Sequence, residues 1–125
     1  MKEYIFELPC YMFVGGNKMS LNLNWYRNAH YHTMNKTKQT YRPSNVILFK
    51  AKKISVEYTF VWNNNRRTDF MNWVSIADKY FLDWLVTWKC IPDDCIDNYN
   101  SMSVKVVKDT SAKESYIRAK VTVLE

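Results

Sequence analysis

Glycine and proline are scarce in this chain: two glycines, adjacent at Gly15 and Gly16, and three prolines among 125 residues. No Ser-, Pro- or Gly-rich stretch interrupts it and no repeat is visible. Nothing therefore marks a linker, and the length suits one domain over residues 1–125 with a single modest core. Long apolar runs are absent too. No stretch approaches the roughly 20 residues that span a bilayer, and the apolar part of MKEYIFELPC is too short and too polar for a secretory signal. The expectation is a cytoplasmic protein with no membrane partner and no small-molecule cofactor. The three cysteines, Cys10, Cys90 and Cys95, are an odd number, which argues against a secreted disulfide framework. Cys90 and Cys95 have no second Cys or His pair nearby to complete a zinc set, so three reduced thiols are expected.

Acidic residues are nearly missing from the first half. Residues 1–68 hold 11 Lys and Arg against 3 Glu, a balance of +8, whereas residues 69–125 hold 7 against 9, a balance of −2, and contain every Asp. A basic surface beside an acidic cluster suits a metal-dependent enzyme acting on nucleic acid, because carboxylates alone repel phosphate. A solvated basic surface without a ligand fits the charge equally well.

What is present is concentrated between Asn65 and Asp97. Plotted as a helix turning roughly 100° per residue, residues 69–89 divide into two faces. Phe70, Trp73, Val74, Ala77, Phe81, Trp84, Leu85 and Trp88 share a broad packing arc, each large apolar side chain gaining roughly 1.5–3 kcal/mol on burial. Asp69, Asn72, Ile76, Lys79 and Asp83 form a narrower stripe on the other side. Thr68 is placed to cap this helix, with Asp69 in its first turn, and Pro92 prevents the helix from resuming.

Around it, Glu3–Pro9 and Ile54–Trp62 read as strands, the second with Ile54, Val56, Tyr58, Phe60 and Trp62 on one face. Asn98–Lys108 and Tyr116–Leu124 read as two more, the last with Ile117, Ala119, Val121 and Val123 on one face. Tyr11–Gly16 leads into a loop at the Gly15-Gly16-Asn17 turn signal. Ser20–His32 is rich in Asn, Tyr, His and Arg, groups that contact phosphates and stack on bases. His30 and His32, two apart, share a face only in a strand, and this pair alone does not argue for a metal. Lys36 and Lys38 lie in a basic, partly helical segment ended by Pro43, after which Ser44 is placed to cap a short turn through Phe49. The order strand, helix, strand, long helix, strand, strand predicts an α+β fold, two helices on a small mixed four-stranded sheet.

These residues resemble the RusA-type Holliday junction resolvases, small endonucleases commonly encoded by phages and prophages. The resemblance covers most of the chain: a first strand ending in Leu8-Pro9, a Ser20-Leu21-Asn22 start to a polar segment, a strand before Arg66-Arg67, and a final strand pair. Within its specific part, Asp69 matches the first acid of the family's Asp-x-Asp-Asn motif and Asn72 the asparagine. Lys79 matches the helix lysine, Asp83-Trp84-Leu85 the Asp-x-Leu, and Asp93-Asp94 the terminal acid pair. The chain departs from the pattern at Met71, which stands where the second acid belongs, and at Lys79, ten residues after Asp69 and four more than the family spacing.

The resemblance implies a RusA-like homodimer that resolves four-way DNA junctions by paired nicking with Mg²⁺ or Mn²⁺, in a host cytoplasm. It implies Asp69 and Asp94 as metal-holding acids, with Asp93 and Asp83 as further candidates, and Lys79 assisting at the phosphate. Asn72 supports the site, while Arg66, Arg67, Arg27, Lys36, Lys38 and His30 contact DNA. The ordinary reading of Lys79 and Asp83 is an i,i+4 surface ion pair, and that of Asp93-Asp94 a solvated turn. A complete helix separates Asp69 from Asp94 by roughly 30 Å, so the two meet only across a dimer interface or if the helix begins well after Asp69. The alternative function is a RusA-like protein that binds branched DNA with weakened or lost catalysis. A third reading is a protein-interaction module using the aromatic residues, although Trp73, Trp84 and Trp88 suit a core or a dimer interface better.

Overall fold

The computed structural model describes residues 1–125 and contains six strands and three helices. Strand β1 (Glu3–Pro9) is followed by a hairpin, β2 (Tyr11–Val14) and β3 (Asn17–Ser20), then by helices α1 (Leu23–Asn28) and α2 (Tyr31–Thr40). Strand β4 (Ile54–Trp62), helix α3 (Phe70–Thr87) and strands β5 (Tyr99–Lys108) and β6 (Tyr116–Val123) complete the chain. The main sheet has the order β1-β6-β4-β5. β6 runs antiparallel to both β1 and β4, whereas β5 is parallel to β4 with α3 as the crossover.

The α+β class and the mixed four-stranded sheet agree with expectation, and β1 and β4 have the expected bounds. The helix count does not: three helices form rather than two, and a separate hairpin precedes them. Gly15 and Gly16 have φ of 59° and 83°, which places positive φ at both centres of a two-residue turn and joins Val14 to Asn17. The turn signal thus closes a hairpin instead of opening a loop. The expected partial helix around Lys36 and Lys38 is α2, and α1 is the additional one; the caps of both are side chains, Asn22 Oδ1 accepting from Trp25 N at 3.0 Å and His30 Nδ1 from His32 N at 3.2 Å.

No helix forms from Ser44 to Phe49, contrary to expectation. The Ser44 backbone amide and the Asn45 side chain serve the outer edge of β1 instead. Ser44 N donates to Glu7 O, Glu7 N donates to Asn45 Oδ1, and Asn45 Nδ2 donates to Ile5 O, at 2.7–2.8 Å. An edge strand with free amides is thereby covered.

α3 packs on the sheet through Val74, Phe81 and Leu85, against Phe6, Phe60 and Ile117 in one continuous core. Its other side is covered as well. Tyr80 packs against Tyr41, just past α2, with ring centroids 5.4 Å apart and the planes tilted by 36°. Ile76, placed by periodicity on the polar stripe, is only 2% exposed, and Tyr80 and Leu82 are buried too. Trp88, placed on the packing arc, is 57% exposed because the helix ends at Thr87 and the chain turns at Lys89 (φ 60°). Phe81, fully buried between Phe6 and Trp84, should be costly to truncate: Phe81→Ala is expected to lower stability by about 3–5 kcal/mol in urea unfolding, and a loss below about 1 kcal/mol would contradict this packing.

Candidate nucleic-acid interface

The start of α3 is organised by side chains from three parts of the chain. Asp69, not Thr68, is the cap; its Oδ1 accepts from Met71 N at 3.0 Å. Thr68 is displaced from that role because its Oγ1 accepts from Trp73 Nε1 at 2.9 Å. Trp62 Nε1 donates to Arg66 O at 2.9 Å, and Asn64 Oδ1 accepts from Arg66 N at 2.9 Å, so the Arg66 backbone is held from both sides. Asn63 and Ser115 exchange two hydrogen bonds at 2.9 and 3.0 Å, tying this loop to the β5–β6 turn.

Beside that loop lies an open groove of about 610 Å³. Its wall is aromatic, Tyr11, Trp62 and Trp73, with Trp73 at 5.4 Å from Tyr11 and 5.6 Å from Trp62 between ring centroids. Its charged groups are Lys18, Arg66 and Lys113 against a single acid, Glu114. Lys18 Nζ sits 4.4 Å from the centroid of the Tyr11 ring. The cations offer phosphates a counter-charge, and the half-buried Tyr11 and Trp62 rings, with Trp73 packed behind them at 6% exposure, leave an aromatic surface for bases. Arg66 was legible in the sequence. Tyr11, Lys18, Trp73 and Lys113 were not, because the groove is assembled by the hairpin and by the β5–β6 turn far downstream of Arg66, and no local pattern joins them.

The remaining predicted residues are dispersed. Arg67 is exposed in the same loop, and Asn72 is half-buried on the first turn of α3. Lys79 is exposed, its Nζ 5.9 Å from the Tyr26 ring of α1. Asp83 does not orient Lys79; its Oδ2 pairs with Lys38 Nζ on α2 at 3.3 Å without a hydrogen-bonding geometry, which ties the expected DNA-contacting Lys38 to the protein. His30 caps α2 through Nδ1, and Arg27 and Lys36 are exposed on the helical pair. Asp93 and Asp94 are exposed in the loop after α3, with Asp93 Oδ1 accepting from Asp94 N at 3.0 Å.

A shared Mg²⁺ or Mn²⁺ does not fit these acids within one copy of the chain. α3 begins at Phe70, directly after Asp69, and its 18 residues run about 27 Å before the loop that carries Asp94. No group of three or more His, Cys, Asp or Glu is gathered anywhere in the structure. Cys10 is buried, and desolvation together with Glu114 pushes its thiol up to about 12. All three cysteines are free.

Sequence reasoning also passed over Asp78. Its Oδ1 accepts from Tyr58 Oη at 2.5 Å and from Tyr99 Oη at 2.9 Å, joining α3 to β4 and β5. The signal was its position at the margin of the apolar arc, next to Val74 and Leu85, where a carboxylate must meet the sheet. Burial raises the pKa of Asp78 above its ordinary 3.8; the two phenols oppose that, and the charge of Asp94 adds to it. An acid with a raised folded pKa binds more protons folded than unfolded, so stability falls as pH rises from 3.8 through the folded value. Asp78→Asn, which keeps the accepting oxygen, is expected to remove this decline. Unfolding midpoints of the variant, measured from pH 3.5 upward, should rise relative to those of the unsubstituted protein as pH increases; parallel curves would show that Asp78 is not the titrating group.

No protein-family model matches this chain, and no curated protein is significantly similar to it.

Proposed function

We propose that the protein binds branched DNA as a RusA-like protein, through the groove at the start of α3. The observation that carries this reading is the joining of Lys18, Arg66 and Lys113 to an aromatic wall of Tyr11, Trp62 and Trp73. Single-stranded or splayed nucleotides at a branch point present the two chemistries that such a wall receives, phosphate charge and open base faces. The net charge of +6, a balance of +8 in the half of the chain that carries Arg66 and −2 in the other, favours the same ligand.

Cleavage of a four-way junction with Mg²⁺ or Mn²⁺ is the activity of a homodimer in this reading. Asp69 stands alone at the head of α3, so further carboxylates for a metal come from a second copy. A second reading, junction binding without cleavage, is favoured by Met71, half-exposed where the family has its second acid.

The two readings separate in one assay, incubation with a synthetic four-way junction with and without Mg²⁺ or Mn²⁺. The nuclease reading expects paired, symmetric nicks that vanish in Asp94→Asn while junction binding survives. Binding with no nicks under either metal supports the second reading, and absence of binding contradicts both. Arg66→Ala is expected to weaken junction binding at all sequences and lower the slope of log affinity against log salt by about 1. An unchanged slope would remove Arg66 from the interface.

A further inference from the structure

Three buried side-chain oxygens lack a hydrogen-bond partner, Tyr41 Oη, Tyr80 Oη and Asp83 Oδ2, and their residues lie where α2 and its C-terminal cap meet α3. Buried polar atoms are paired almost throughout native proteins, so three orphans at one seam call for a physical reason. Two of the residues, Tyr41 and Asp83, line a cavity of about 430 Å³ that lies at the far end of α3 from the Arg66 groove and has the size of a small-ligand site. Part of its wall is aromatic. Trp84 and Trp88 stand four residues apart at the end of α3, with ring centroids 6.4 Å apart; Trp84 is buried, whereas Trp88 is 57% exposed and leaves ring surface open. From α2 come Asn35 and Gln39, also four apart, whose amides each donate and accept. Lys38 Nζ stands 3.3 Å from Asp83 Oδ2 without hydrogen-bonding geometry, so a donor and an acceptor lie side by side and neither satisfies the other. The edge of a nucleobase carries the complementary pattern, an N–H beside an acceptor, on a flat ring that stacks on tryptophan.

We propose that this cavity binds the base of a purine nucleoside, its ring stacked on Trp88, an N–H of its edge donating to Asp83 Oδ2 and the neighbouring acceptor receiving Lys38 Nζ. Guanine suits the site best, because its two adjacent N–H groups give one carboxylate a pair of donors. Past the same two tryptophans the cavity continues into a second, of about 590 Å³, which leaves room for the ribose. The base comes either from a free nucleoside or from an unpaired nucleotide of a strand, and the test separates the two sources.

The inference does not depend on DNA docking at the head of α3, and its readout is local, so its failure is distinguishable from failure of the functional reading. Guanosine titrated into isotope-labelled protein is expected to shift the Trp88 indole N–H resonance saturably while that of Trp62, in the Arg66 groove, stays in place. No saturable shift, or a shift at Trp62 with Trp88 unmoved, would overturn the proposal. Asp83→Asn keeps the side-chain size and removes the charge, and Trp88→Ala changes an exposed ring that the core does not enclose; each is expected to weaken guanosine binding about tenfold or more. Full affinity in either folded variant contradicts the site. Unsubstituted purine riboside, which stacks but has no N–H on its edge, is expected to bind about tenfold more weakly than guanosine, and equal binding would remove Asp83 from recognition. A thymidine oligomer carrying one guanine identifies the source: a Trp88 shift at lower concentration than with guanosine assigns the cavity to an unpaired base in a strand, and an unmoved Trp88 assigns it to the free nucleoside.

Discussion

The structure depends on α3 losing water from both of its sides, and the two sides are covered by different means. Toward the sheet, Val74, Phe81 and Leu85 bury the helix by apolar contact with β1, β4 and β6, and Asp78 adds a polar anchor to two strand tyrosines. Away from the sheet, α1 and α2 have few apolar residues to offer, so the contacts are aromatic and charged: Tyr41 on Tyr80, Tyr26 under Lys79, Lys38 against Asp83. Apolar burial dominates the energy, at roughly 1.5–3 kcal/mol per large side chain against at most about 1 kcal/mol for an exposed ion pair. The helical pair is therefore the more weakly held layer.

That arrangement determines what reaches solvent. With both sides of α3 covered, its N-terminus, the Asn63–Thr68 loop, the β2–β3 hairpin and the β5–β6 turn are left to form one surface, where Lys18, Arg66 and Lys113 meet the rings of Tyr11, Trp62 and Trp73. At the opposite end, the Asp93–Asp94 loop stands apart.

The four strands of the sheet were legible because each obeys a two-residue period or ends at a breaker, as with Ile54, Val56, Tyr58 and Phe60 on β4 and Pro9 at the end of β1. α3 was legible from its apolar arc, but its exposure was not. Ile76 reads as polar-side by angle alone and is buried because a second layer lies over it, a tertiary fact without a local signature. α1 was not expected, and α2 was expected only as a partly helical basic segment around Lys36 and Lys38, because a helix held by caps and tyrosines shows little apolar period, with Thr37 the sole buried residue of α2. Of the candidate site, Arg66 and Asp69 could be read from their loop-to-helix position. Asp78, Tyr99, Lys18 and Lys113 required knowing which strands and turns become neighbours.

The central claim, that nucleic acid docks at the head of α3, is tested most directly by amide hydrogen exchange with and without a four-way junction. The account predicts protection gained at Asn17–Ser20, Asn63–Thr68 and Ser111–Ser115, the three segments that border the groove, with the helical pair unchanged. Protection confined to the outer face of α1 and α2, around Arg27 and Lys36, with the Asn63–Thr68 loop exchanging as before, would contradict it.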